Sequence, residues 1–157
     1  MMMRKSKKKV IEELKKYVQI QEVVCPHTFK KWGEQSWNFM SVEILETLLW
    51  VRELLNKPIV INNYNVGGTY SQRGLRCNLC QLVKDKTNKG QHYMSQHQLA
   101  NGVDFSVPDM EAEGVRNVVR KNKDTAPYPF RLERSVSWMH IDCMDLANNQ
   151  KLNEFNP

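Results

Sequence analysis

Ser95-Gln96-His97-Gln98-Leu99-Ala100-Asn101-Gly102-Val103-Asp104-Phe105 and, further along, Ser137-Trp138-Met139-His140-Ile141-Asp142 are the stretches on which the fold of this chain turns. In the first, His97 stands in a polar loop, and Asp104 lies seven residues on, inside Gly102–Val107, which reads as a strand. A loop residue and a strand residue at that separation can converge on one point. In the second, alternation puts Val136, Trp138, His140 and Asp142 on one face and Ser137, Met139, Ile141 and Cys143 on the other. A Trp, a His and an Asp on one face predict a pocket wall rather than plain core. Two neutral imidazoles and one carboxylate leave a tetrahedral Zn²⁺ an open fourth position for water. Zinc so held brings its water toward a pKa of ~7 and polarises a carbonyl, which serves both halves of a hydrolysis. Spacing alone favours the plainer reading, unrelated surface or core histidines.

Upstream, Ser41 is placed to cap a helix running to about Asn56, with Ile44, Leu48, Val51 and Leu55 on one stripe. Lys57-Pro58 ends it, and Pro58–Asn62 predicts a short buried strand. Residues 6–20 carry Val10, Leu14, Tyr17 and Val18 at helical spacing, whereas VCPHTFKKWGEQSW (24–37) predicts a loop. From Asn62 to Gln96 polar and small residues predominate. So long a stretch without elements of its own is unusual in a compact domain and marks a functional loop. Downstream, Pro108-Asp109 open a helix to about Asn122 that carries Met110, Val115, Val118 and Val119. Tyr128–Glu133 and Ser137–Cys143 predict strands paired as a hairpin across Arg134-Ser135, and residues from Asn148 on predict a frayed tail. The expected fold is α+β, a small, mostly antiparallel sheet with helices packed on one side. One domain is expected over 1–157: a helical and loop extension at 1–40, a core at 41–145 and a tail at 146–157.

Hydrophobic residues make up 41% and charged residues 25%, with a mean hydropathy of −0.60, which excludes the disordered and membrane classes. No stretch approaches the roughly 20 apolar residues of a membrane span. The start, MMMRKSKKKV, looks like the basic segment of a secretion signal, but IEELKKYV after it is too charged to be the apolar segment. Synthesis in the cytoplasm is therefore expected, with Cys25, Cys77, Cys80 and Cys143 as reduced thiols. A net charge of +6 favours polyanionic partners: nucleic acid, an anionic membrane surface or an acidic cell-wall polymer. The run Arg4, Lys5, Lys7, Lys8 and Lys9 itself reads as a frayed, solvated terminus.

Ser95-x-His97-x₆-Asp104 followed by Trp138-Met139-His140 resembles the M15 family of zinc D-Ala-D-Ala carboxypeptidases and peptidoglycan endopeptidases, whose metal site and fold recur in the Hedgehog domain. Gly74-Leu75-Arg76 after Tyr70-Ser71-Gln72-Arg73 is similar to the family's Ser-Gly-Tyr-Arg segment, and the likeness covers roughly residues 41–145. Ala100 and Gly102 stand where the family has Gly and Ala, which keeps side chains small. Ser137 stands where many members place a Glu three residues before the last His.

The resemblance implies one Zn²⁺ per chain on His97, Asp104 and His140, and an amide bond of a peptidoglycan stem peptide as substrate. Glu133 is the nearest upstream carboxylate and is assigned as general base. Arg76 best matches the family's arginine, to steady a substrate carboxylate or an oxyanion, with Arg73 as its substitute. Ser95 is the candidate to donate to substrate or orient a ligand, Trp138 and His92 to line the substrate site, and Asp142 to accept a hydrogen bond beside the metal. By analogy with the family, small size, positive charge and no secretion signal point to a phage endolysin, a monomer that reaches the wall when another factor releases it.

A rival ligand set overlaps the first. Cys77, Cys80, His92 and His97 nearly fit the two-Cys, two-His finger spacing, which would make the chain a nucleic-acid-binding module. Against it, Lys84 and Gly90 stand where such a finger needs apolar residues, and Asn88-Lys89-Gly90 is poor helix sequence. No specific nucleic-acid partner is therefore expected. His97 cannot serve both sites. A Hedgehog-like zinc domain without catalysis is the remaining alternative.

Overall fold

The computed structural model describes residues 4–157; the three methionines that open the basic start lie outside the described residues. Among the described residues the helices are α1 (Lys7–Leu14), α2 (Ile20–Val23), α3 (Pro26–Trp32), α4 (Val42–Leu55), α5 (Gln81–Asn88) and α6 (Ala112–Lys121). The strands are β1 (Gly102–Phe105), β2 (Phe130–Glu133), β3 (Met139–Asp142) and β4 (Leu152–Phe155). They form one sheet in the order β1-β3-β2-β4, in which β3 pairs antiparallel with β1 and β2, and β2 pairs parallel with β4. The α+β class and the mostly antiparallel sheet are as expected.

Register divides this sheet into two chemically distinct faces. Gly102 opposes Asp142, Asp104 opposes His140 and Arg131 opposes Asp142, so these side chains share one face. The other face carries Val103, Phe105, Phe130, Leu132, Met139 and Ile141, all buried. That apolar face belongs to one continuous core with Ile44, Leu45, Leu48, Leu49 and Val51 of α4 and Val115 and Val119 of α6. The Ser41 hydroxyl starts α4 by accepting from the Ile44 amide, and Asn56 ends it at φ +48°.

Several expectations are corrected. Residues 24–37 are not loop: Pro26 occupies the first position of α3, where its missing N–H costs nothing, and a 3₁₀ turn follows over Gly33–Phe39. Pro58–Asn62 is not a strand. Only Val60 bridges to Ser106, while Ile59 and Ile61 are buried. The 62–96 stretch carries α5. The tail is no frayed end, because Phe130, Arg131, Leu132 and Glu133 pair with Leu152, Asn153, Glu154 and Phe155. Arg120 of α6 also binds the Glu154 carboxylate at 2.7 Å. Val10, Leu14, Val18, Ile20, Val23, Val24, Trp37 and Met40 all join the main core, so residues 10–40 are part of it rather than an extension. The basic run is likewise ordered from Arg4: Lys5 pairs with Glu13, Lys7 donates to Asn38 O, and Arg4 stacks over Tyr128.

A candidate metal centre on the polar face of the sheet

Asp104 and His140 face each other across β1 and β3, and the loop before β1 brings His97 to the same point. All three are buried, at 3% exposure for His97, 8% for Asp104 and 7% for His140. His140 Nδ1 lies 2.7 Å from Asp104 Oδ1, and His97 Nε2 lies 3.3 Å from Asp104 Oδ2. Each ring is anchored by its other nitrogen: His97 Nδ1 at 2.9 Å from Gly74 O, and His140 Nε2 at 2.8 Å from Asp142 Oδ2. Both of those partners only accept, so each outer nitrogen carries the proton in the neutral ring and the inner nitrogen presents its lone pair. Two lone pairs and a carboxylate thus converge in a buried place. These residues can hold a metal ion.

The electrostatics favour a cation there. Burial alone would lower His140, but the hydrogen bonds to Asp104 and Asp142 prevail and bring it up to about 9. Burial would raise Asp104, yet the two histidines hold it below the usual carboxylate range. Asp142 is lowered in the same way, by His140 and by Arg131, which binds both its oxygens at 2.8 and 2.9 Å. The carboxylates that favour a proton on His140 also favour a metal ion, which would have to displace that proton to bind.

A cavity of 430 Å³ opens over the cluster, and its lining includes Arg76, Ser95, Glu133, Trp138 and Phe155. Arg76 donates to Asp104 Oδ2 at 3.2 Å, to Tyr93 Oη at 3.1 Å and to Gln72 O at 2.6 Å, so its first task is to orient Asp104. Ser95 Oγ is buried without a hydrogen-bond partner at the cavity edge. Glu133 ends β2; the register that pairs Arg131 with Asp142 and Leu132 with Ile141, continued by one residue, sets it opposite His140. The buried Arg116 clamps the β2–β3 connection by donating to the carbonyls of Glu133, Val136 and Trp138. Phe155 of β4 packs edge-on against His140, with centroids 5.8 Å apart, and carries the Arg131 guanidinium over its ring.

Two expected substrate residues stand elsewhere. Arg73 does not line the cavity. Its guanidinium stacks on Tyr70 and donates to Ser106 Oγ at 2.9 Å, while its carbonyl accepts from the Asp104 amide. His92 is exposed and also outside the lining.

The finger set does not converge either. His97 belongs to the sheet cluster, and Cys77 and Cys80 meet Cys25 and His27 instead, in a second group that can hold a metal ion. Proximity in sequence misled here, because backbone pairing of Val24 with Leu75 brings distant residues closer than the intervening loop brings His92. Cys25-Pro26-His27 beside Cys77-x-x-Cys80 was the available signal. The roles of Gly74, Arg131 and Phe155 had none, since each depends on a tertiary contact.

Comparisons of the chain with protein-family models, with curated proteins and with solved structures found no match in any of the three.

Proposed function

We propose that this chain is a zinc peptidase that hydrolyses an amide bond in peptidoglycan stem peptides, a cell-wall hydrolase of the phage type. What carries the proposal is the buried His97, Asp104 and His140 cluster under an open cavity, with both imidazoles anchored so that their lone pairs meet. Three ligands rather than four are the mark of a reactive zinc site. Zinc held by His97, Asp104 and His140 would supply the Lewis acidity to polarise a scissile carbonyl and acidify a water. Glu133 takes the proton of that water and returns it to the leaving amine. Arg76 keeps Asp104 oriented and has N–H groups left over for an oxyanion or a substrate carboxylate. Ser95 offers its unpaired hydroxyl to substrate, and the exposed Trp138 offers an aromatic wall. The net charge of +6 suits an anionic wall polymer. No helix among the described residues is long and apolar enough to cross a membrane.

Glu133→Gln is the decisive variant, because it keeps shape and hydrogen bonding but cannot accept the proton. It is expected to retain zinc and to lose on the order of 10²–10⁴ in turnover of purified stem peptides, the usual contribution of a positioned acid–base group. Equal turnover in the two proteins removes Glu133 from the mechanism. A zinc-loaded wild type that cuts no stem peptide overturns the peptidase reading in favour of a Hedgehog-like domain without catalysis.

A further inference from the structure

We propose that Cys25, His27, Cys77 and Cys80 form a second, closed zinc site that staples the N-terminal part of the fold to the loop behind the reactive cluster. The four donor atoms lie within 4.8 Å of one another. His27 Nδ1 is 3.7 Å from Cys77 Sγ and 3.9 Å from Cys80 Sγ. Four-coordinate zinc with Zn–S of about 2.3 Å and Zn–N of about 2.0–2.1 Å sets tetrahedral S···N edges at roughly 3.6 Å. The two S···N edges at His27 are therefore close to those of a zinc tetrahedron. All four cysteines of the chain are free thiols, and three of them gather at this one point.

The surroundings are those of a site rather than of a chance cluster. Cys77-Asn78-Leu79-Cys80 forms a tight turn in which the Cys80 amide donates to Cys77 O at 3.1 Å and the Leu79 amide donates to Cys77 Sγ at 3.3 Å. Cys25 and Cys80 are the N-caps of α3 and α5, so both helices begin at the site. The small buried cluster here comprises Cys25, Cys80 and Val83, with Cys77 and Tyr93 packed on it, and it is separate from the main core. Where hydrocarbon would ordinarily hold two segments together, this fold has placed sulfur. Binding would release the thiol protons to water and leave neutral His27 as the fourth ligand.

The staple also has a purpose in the fold. Leu75 is hydrogen-bonded on both sides to the N-terminal segment, by its amide to Val23 O at 2.8 Å and by its carbonyl to the Cys25 amide at 3.0 Å. Its neighbours Gly74 and Arg76 anchor His97 and Asp104. Closing the sulfur site therefore fixes the segment that orients two ligands of the sheet cluster. Four protein ligands leave no open position, so the role is structural.

Metal analysis and zinc-edge X-ray absorption on the full chain, purified under reducing conditions, test this directly. Wild type is expected to hold two zinc ions with Zn–S distances of about 2.3 Å. His140→Ala is expected to keep one ion, now with a sulfur-rich shell, and Cys77→Ser to lose that shell. Should Cys77→Ser fail to fold, His140→Ala still decides, because its remaining zinc reports its own ligands. Absence of sulfur scattering from folded wild type, or loss of all zinc in His140→Ala, overturns the proposal. Sulfur-bound zinc in a protein that hydrolyses nothing would leave this inference standing while the peptidase reading fell.

Discussion

The sheet cluster and the sulfur cluster hold their donors by opposite means. Asp104 and His140 are cross-strand partners, so the β1–β3 ladder sets their separation whatever occupies the site. Gly74 O and the Asp142–Arg131 pair then lock the two rings. The sulfur donors sit instead at the starts of two short helices, in segments joined by the Val24–Leu75 bridge and by Asn62, whose side chain donates to Val24 O and accepts from the Arg73 amide. A centre that exchanges a ligand during reaction needs donors that stay ordered when the ligand leaves. A closed centre can draw its order from the ion itself.

If the two centres are mechanically joined, Gly74 is where the connection breaks. A Cβ there would come within 1.9 Å of Val23 O, while the Gly74 carbonyl anchors His97. Forcing extra atoms into a packed site costs about 1–3 kcal/mol, occasionally more. For Gly74→Ala this means a melting temperature lower by roughly 2–12 °C, at 2–4 °C per kcal/mol for a domain of this size. Substoichiometric metal is expected at both centres. Metal loss confined to one of them would show that the two are independent.

Asp142→Asn should separate the centres. It removes the charge that accepts from His140 Nε2 and pairs with Arg131, but leaves the sulfur site untouched. Replacing such an orienting partner weakens metal affinity about 10–100-fold. Chelator competition should show one ion released early and one unchanged; equal weakening of both ions would refute the separation. The smallest effect is expected from Phe155→Leu, which keeps apolar bulk and removes the ring contacts to His140 and Arg131. Aromatic geometry is worth about 0.5–1.5 kcal/mol, or roughly a two- to tenfold change in affinity at the sheet centre. No change on titration would reduce β4 to a lid on the sheet edge.

His97, Asp104 and His140 were legible through the resemblance to the M15 family, since spacing alone favoured unrelated histidines. Alternation then states which side chains of a strand share a face. The same rule put Asp142 beside His140. α4 was legible for an equally local reason, a Ser cap before an apolar stripe. Three features were not. α3 is short, begins at a proline and carries charged residues, so its helical pattern is weak against its loop-like composition. β4 is four residues long and half-buried at an edge, and its pairing to β2 is parallel and distant in sequence. The partners of Cys77 and Cys80 lie about fifty residues upstream, at Cys25 and His27.

By itself, then, the sequence determined the α+β class and the two faces of the strands, and through the family resemblance it offered His97, Asp104 and His140 as candidates. The class and the faces follow from local periodicity and capping, which each segment carries within itself. Tertiary structure alone decided that Arg76 serves Asp104 and Arg73 does not line the cavity, that the tail completes the sheet, and that residues 10–40 complete the core. It also decided which histidine the paired cysteines would find. A side chain's partner across a long stretch of chain is set by packing and backbone pairing between distant segments, and no local pattern records it.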